Sequence, residues 1–314
     1  MSQATPSQAR VQDPILTEVA RGYRSPKAAV ANVLFPFVPV GARAGRILVF
    51  GPDDFKLVST ARAPGANTKR LQFTYSSDKF SLVDHRLEGS VPVELQEEAQ
   101  AVPGIDLGAN AVRRVQNMMA LEREKQAADL ARDASKYAAS NKITLAGDSQ
   151  WSDPDSDPFT DIMNGKEVVR GQTGEKANVL EVGPRVLTAL RTHPKVLDRL
   201  STASDRPPAT ITQLAALFEL ERIVEGEAVY HTGAAFADVW GNDAILAFTT
   251  PASMQEMGSP NYGYTYQLQE GPTVEEAYYE GNTNTWYYPT SDAYQPVLVG
   301  PSAGYLFKNA VPAN

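Results

Sequence analysis

A chain of 314 residues with 42% apolar and 21% charged side chains can bury a substantial core in one or two domains, and it is too apolar to be disordered throughout. Cysteine is absent, which excludes a disulfide framework, a thiolate metal site and a cysteine nucleophile. The net charge of −8 gives the whole chain no overall counterion-release gain on nucleic acid, so strong nucleic-acid binding is disfavoured.

That charge is unevenly spread. Residues 1–75 carry ten Lys/Arg against four Asp/Glu, and the remainder is acidic. Such polarity arises by chance in some chains; its functional reading is that basic N-terminal segments lie on acidic surfaces of neighbouring copies. The N-terminal MSQATPSQARVQDP lacks the apolar stretch of a signal peptide, and no run of about 18 apolar residues predicts a transmembrane helix. Pro6, Pro14 and Pro26 break any long helix, so residues 1–30 read as an extended polar arm. VLFPFVPV, residues 33–40, predicts an extended edge strand because of its two prolines.

Residues 45–91 read as β-structure. GRILVF and FKLVST flank the turn Gly-Pro-Asp-Asp, ARAPGANTKR is a loop tip, and RLQFTY and KFSLVDHRL alternate apolar and polar residues. This excursion has little apolar mass of its own. A two-stranded ribbon is marginal alone in water, so it needs another surface to lie on. Residues 108–140 predict a long helix with an apolar stripe of Val112, Val115, Met119, Ala127, Leu130, Ala134 and Tyr137. Thirty-three residues would span about 50 Å, long for a core helix and suited to a spine.

WSDPDSDPF is a Pro/Asp-rich break, followed by a helix over residues 159–171 that ends at Gly171. NVLEV predicts a strand, Pro184 the first turn of a helix through Leu190, and Pro194 a restart. SDRPPAT is a loop, and Thr210 is the candidate N-cap of ITQLAALFEL. EAVYH and AILAF read as strands, as do YGYTYQLQ, AYYEG, TWYYP, PVLVG and AGYLFKN. Nine of the thirteen tyrosines lie after residue 260; β-propensity with packing and a contact surface account for them equally well.

Chemistry is hard to find. Asp153, Asp155 and Asp157 alternate as in a Ca²⁺ loop, but two prolines intrude and the loop glycine and terminal glutamate are missing. His85, His193 and His231 sit in separate segments without HxxxH or HExxH spacing. GxxxxGK[ST] and GxGxxG are both absent. Asp84 and Glu88 form a possible carboxylate pair that nothing singles out. No catalytic residue, metal ligand or cofactor is expected.

Six stretches in fixed order do carry a resemblance. They are VLFPFVPVGARAGRILVFGPDDFKLV, ARAPGANTKRLQFTYSSDKFSLVDHRLEGSVPVEL, PGIDLGANAVRRV leading into the long helix, KYAASNKITLAGDSQWSDPDSDP, NVLEVGPRVLTALRTHPKV, and LAALFELERIVEGEAVY with DVWGNDAILAF. The chain resembles the major capsid proteins of tailed bacteriophages, of the Hong Kong 97-type fold. That implies an α+β chain with an N-terminal arm at 1–43 and an extended loop at 44–92. A peripheral domain follows at 93–175 with its spine helix at 108–140, then an axial domain at 176–290, and strands at 291–314 that return to the peripheral sheet. Lys56 and Lys69 are loop candidates for the lysine that some members cross-link, but no motif marks the matching asparagine or glutamate. The fold begins about 30 residues into the chain, so no cleaved scaffold-like domain is expected.

The function implied is structural, not enzymatic: hexamers and pentamers building an icosahedral head around double-stranded DNA. The expected partners are other copies of the chain, a portal protein, and scaffolding or decoration proteins. DNA is enclosed without sequence-specific binding, and no membrane is involved. The place is the virion, assembled in the host bacterial cytoplasm. An encapsulin-like shell is the alternative on the same fold. A metabolic α/β enzyme is suggested only by the strand–helix pairs of residues 178–233.

Overall fold

A computed structural model describes residues 30–49, 57, 61, 76–100, 106–200, 207–250 and 260–312. The expectations for residues 1–29, for the FKLVST and RLQFTY strands and the loop tip, and for Lys56 and Lys69 lie outside the described residues, apart from Leu57 and Ala61.

The chain opens with helix α1 (Val30–Leu34) and strand β1 (Phe37–Val40). The strand expected over 33–40 is thus shorter, because residues 33 and 34 complete a helical turn before Pro36. β2 (Ala44–Val49) and β3 (Ser76–Ser81) pair antiparallel from Ala44↔Ser81 to Val49↔Ser76, as the base of a ribbon. β4 (Val83–Pro92), α2 (Val93–Gln100) and the long α3 (Leu107–Arg132) follow.

α3 has 26 residues, so it is about 39 Å long. Asp106 caps its start by accepting the Ala109 N–H at 2.9 Å. It stops before the expected residue 140 because Asp133 turns extended (φ −74°, ψ 99°) and accepts the Ser135 N–H instead. Tyr137 then folds back and donates to the Ala131 carbonyl at 2.6 Å.

Next come β5 (Lys142–Thr144), α4 (Pro158–Thr173), β6 (Val179–Val182), α5 (Pro184–Thr192), α6 (Pro194–Leu200) and α7 (Ile211–Leu217). α4 runs past Gly171 to Gly174, which supplies the left-handed turn (φ 75°) that ends it. Pro184 opens α5, and Thr210 forms a capping box with Gln213, as their positions predict. The rest is β-structure: β7 (Arg222–Glu225), β8 (Val229–His231), β9 (Phe236–Asp238), β10 (Ala244–Ala247), β11 (Gly263–Leu268), β12 (Thr273–Val274), β13 (Tyr278–Glu280), β14 (Thr285–Leu298) and β15 (Gly304–Lys308).

β14 organises a six-stranded sheet. One edge pairs with β4 from Thr285↔Pro92 to Tyr294↔Val83. The other edge takes β13, β12 and β11 in succession, with β1 parallel beyond β11. The strands expected at TWYYP and PVLVG are one 14-residue strand despite Pro289 and Pro296. Each proline sits where no ladder N–H is needed. The Pro289 carbonyl accepts from Glu275, in the gap between β12 and β13, so its ring nitrogen faces that gap as well. Opposite Pro296, Thr265 directs its N–H to Pro36. Pro296 therefore faces the other edge, where β4 has already ended.

The second sheet has the order β5-β15-β10-β6-β7. Its inner strands β10 and β6 are buried along their whole length because both faces are covered. On one face Ile162, Leu187, Leu190, Val196 and Leu214 from α4–α7, with Phe218 just after α7, form a hydrophobic core. On the other, Ala127, Ala128 and Ala131 of α3 pack with Leu34 and Trp240. α3 also packs against β4 and β14, so it is shared by both sheets.

Sheet membership is not sequential: β5 and α4 belong with the five-stranded sheet, β11–β13 join the six-stranded one, and β15 lies between β5 and β10. The chain passes from one sheet to the other between β10 and β11 and back between β14 and β15, where the Phe248 N–H donates to the Ala303 carbonyl and the Tyr262 N–H to the Phe248 carbonyl.

Candidate functional site: a buried ionic junction and three exposed surfaces

The C-terminal half of α3 is tied to the five-stranded sheet by buried charge. Glu124 accepts the Ala31 N–H at 3.1 Å and the Trp240 indole N–H at 2.7 Å. Asp243 accepts from Arg132 Nε at 2.7 Å, Lys308 Nζ at 2.8 Å and the Asn309 N–H at 2.8 Å. Arg132 also donates to the Val239 carbonyl at 3.0 Å. Between them lies Glu181 on β6, 0% exposed, with neither carboxylate oxygen hydrogen-bonded among the described residues. Burial pushes its pKa well above the ordinary value, and the neighbouring Glu124 adds to the shift while Arg132 opposes it. Glu124 is raised by burial too, against its two hydrogen bonds.

Each polar residue singled out in the sequence is used locally. His193 is buried, with Nε2 2.9 Å from the Asp153 carbonyl and 3.1 Å from Ser156 Oγ. Ser156 donates to that same carbonyl at 2.8 Å. Nε2 therefore carries the proton and donates to both oxygens. A nucleophilic serine needs the reverse, a base nitrogen that accepts its proton and an acid holding the other nitrogen. Here Nδ1 has no partner among the described residues. His85 stacks on Tyr294 with ring centroids 4.1 Å apart, and His231 Nδ1 accepts the Gly233 N–H at 3.1 Å.

The aspartates of the DPDSDP turn serve its own backbone. Asp153 accepts the Asp155 N–H at 2.8 Å, and Asp157 caps α4 by accepting from Thr160. Asp84 and Glu88 lie on one face of β4 but hold different partners: Arg43 for Asp84, and Arg86 with the Tyr278 hydroxyl for Glu88. Among the described residues no group of three or more His, Asp or Glu is placed to hold a metal ion.

Among the described residues three surfaces expose apolar mass. A groove of about 650 Å³ between β4, α2 and the N-terminal half of α3 is lined by Leu87, Leu95, Leu107 and Met118, with Arg113 and Arg114 at its rim. Met118 is 63% exposed. The β8–β9 hairpin presents Phe236, 76% exposed, beside Val229. On the six-stranded sheet Tyr278 stacks on Tyr287 at 5.3 Å, and Tyr279 lies 5.5 Å from Trp286. The C-terminal tyrosines thus divide: Tyr262, Tyr264, Tyr266, Tyr288 and Tyr294 are core residues, and Tyr278 and Tyr279 are exposed. The sequence reading missed the ionic junction, though a glutamate inside the apolar strand NVLEV was its signal.

No protein-family model matches the chain. A curated relative, the major capsid protein of Burkholderia phage BcepMu, is 31% identical over 308 residues, covering 96% of this chain and 97% of the relative. The chain belongs to the phage major capsid proteins. A solved phage-related protein from Bordetella bronchiseptica RB50 is 43% identical, with a TM-score of 0.82 over 98% of this capsid protein and 100% of that chain. The capsid of cyanophage P-SCSP1u shares the fold at a TM-score of 0.58 and 11% identity, over 91% of this chain and 89% of that one. The fold is the Hong Kong 97 type that the six stretches implied.

In a capsid protein the ionic junction is a structural tie, and the three exposed surfaces are candidates for contact between proteins. The two strand–helix pairs that suggested a metabolic enzyme form the five-stranded sheet and its helices.

Proposed function

We propose that this capsid protein assembles as hexamers and pentamers into an icosahedral head that encloses double-stranded DNA, with a structural and non-enzymatic role. The observation that carries the reading is the 31% identity to a phage major capsid protein along 96% of the chain. The six-stranded sheet with α3 corresponds to the peripheral domain. The five-stranded sheet with α4–α7 corresponds to the axial domain. The β2–β3 ribbon is the base of the extended loop at 44–92, and residues 1–43 are the arm.

Strength in such a shell comes from many modest contacts acting together. The acidic remainder of the chain suits a wall that confines DNA without adhering to it. A portal protein, and scaffolding or decoration proteins, are the further partners. The head forms in the host bacterial cytoplasm and persists in the virion.

Particles isolated from phage-producing cells test this. Nuclease-protected double-stranded DNA together with a portal protein is the expected content. Particles filled with enzyme cargo and lacking DNA would instead mark an encapsulin-like compartment. Deleting residues 63–69 is expected to leave a folded subunit that fails to close shells; loss of folding would place that segment in the core.

A further inference from the structure

One edge of β4 is bonded to β14, and among the described residues no strand pairs with the other. Pro289 decides which backbone groups point out of that open edge. In an antiparallel ladder, alternate residue pairs exchange hydrogen bonds, and the pairs between them direct their groups away from each other. Glu88 stands opposite Pro289, whose nitrogen is turned away from β4. Glu88 therefore aims its N–H and C=O outward, and by alternation so do Arg86 and Ser90. Val93 fits the same alternation, since its N–H reaches back to the Asn284 carbonyl at 3.0 Å.

The open edge is complementary to itself. When two β4 strands meet antiparallel with Leu87 opposite Leu87, Arg86 falls opposite Glu88 on both sides of a two-fold axis. These are the residues with outward backbone groups, so each Arg86–Glu88 pair exchanges two backbone hydrogen bonds. Leu87 forms the closer, non-bonded pair on the face that carries α3. Within one subunit Arg86 is 2.9 Å from Glu275 and 3.4 Å from Glu88, so across the axis the charges join in one alternating row.

α3 carries a second self-complementary pattern about the same axis. It runs antiparallel to β4: a Cβ on Gly89 would stand 3.0 Å from the Ala111 Cβ, and Glu122 Oε1 lies 3.7 Å from His85 Nδ1. Seven helix residues beyond Ala111 advance about 10.5 Å, or about three strand residues, which sets Met118 beside residues 86 and 87. Arg114, Met118 and Glu122 form one exposed row at i, i+4 and i+8. Rotation about Met118 places Arg114 against the Glu122 of a second copy, and Glu122 against its Arg114. The spacing also fits. α3 packs on β4 and β14 alike, so its axis lies about 2.4 Å inside β4. Two β4 strands about 4.8 Å apart then hold the helices about 9.6 Å apart, within the range of about 8–10 Å for packed helices. A partner of a single charge would meet like charge at one end of each row.

We infer that two copies of this chain pair about a two-fold axis through Leu87 and Met118, joining their six-stranded sheets edge to edge along β4 and packing α3 against α3. The pairing rests on the proposed association of copies of the chain. Shells without this contact, and this contact without shells, are separate results.

The chain has no cysteine, so one introduced cysteine reports contact with its own copy. The purified full chain carrying Leu87→Cys is oxidised in air and run without reductant. The expected product is a covalent dimer of twice the chain mass less two hydrogens, because a directly opposed, non-bonded pair brings its Cβ atoms to about 4.5 Å. Asp129→Cys, on α3 away from the axis, should not link. In the Leu87→Cys chain, Arg114→Glu or Glu122→Arg alone should lower the yield about fivefold, since symmetry makes each break two exposed ion pairs. Both together should restore it, because the charges exchange places across the axis. Within one chain these two residues are about 12 Å apart along the helix, too far to pair. Far-ultraviolet circular dichroism identical to the parent establishes that the variants fold, and Met118→Cys reports the same axis should Leu87→Cys not fold. No link in a folded chain, equal linking of Asp129→Cys, a yield insensitive to the charge reversals, or a double variant no better than the singles would overturn the inference. So would preferential coupling of Leu87→Cys to Phe236→Cys on a mixed chain, which would give the edge to the β8–β9 hairpin.

Discussion

The two halves of α3 are held in opposite ways. The N-terminal half lies on the six-stranded sheet through small residues: a Cβ on Gly108 would stand 2.8 Å from the Tyr288 hydroxyl, and one on Gly89 would stand 3.0 Å from the Ala111 Cβ. That contact is close, and beside it the space between β4, α2 and this half remains open as the groove. The C-terminal half is enclosed, with Glu124 and Arg132 committed to α1, Trp240, Val239 and Asp243. One end of the helix is locked by charge within the subunit, and the other leaves surface for further contact. A helix built this way can belong to a rigid building block and still offer a face to other segments.

The largest expected effect comes from breaking the locked end. Asp243→Asn removes the carboxylate that Arg132 and Lys308 share, and uncompensated buried charge of this kind costs about 3–5 kcal/mol. Urea unfolding should show the loss as a lower midpoint with an unchanged slope. Gly108→Val tests the close end. Its methyls meet the Tyr288 ring and should cost about 1–3 kcal/mol by overpacking, measured in the same way.

Glu181 sharpens the comparison through pH. Its folded pKa is raised above the unfolded value, so the unfolded chain releases this proton first. The stability tied to the protonated form is complete below about pH 4.4 and is lost as pH rises towards the folded value. Glu181→Gln has no proton to lose. The melting temperature of Glu181→Gln relative to the parent should therefore climb between pH 4.5 and pH 8. A constant offset over that range would mean Glu181 does not titrate as a buried, unpaired acid. The smallest effect belongs to the open end: Met118→Ser should change subunit stability by less than about 0.5 kcal/mol, since the side chain is mostly solvated.

Local signals in the sequence translated well into structure. The Pro184 and Thr210 helix starts and the NVLEV and AILAF strands rest on chemistry within a few residues, and each is present. Helix ends were misplaced where a local stop signal was passed over: Asp133 and Gly174 set the ends that periodicity placed at residue 140 and Gly171. Strand partners were illegible because distant residues decide them. β15 has the same apolar, aromatic character as its neighbours in sequence, and only three-dimensional pairing with β5 and β10 assigns it to the five-stranded sheet. The contact surfaces were the least legible part. Tyr278 and Tyr288 look alike in sequence, yet one is exposed and the other is packed against Gly108. The groove joins residues from three elements, and no short motif encodes it.

The most direct test of the assembly account is negative-stain electron microscopy of the purified full chain, expressed alone and with the scaffolding and portal proteins of its own phage. The account predicts closed icosahedral shells, or the hexamers, pentamers and curved sheets from which they are built. A monodisperse small oligomer under every one of those conditions would contradict it.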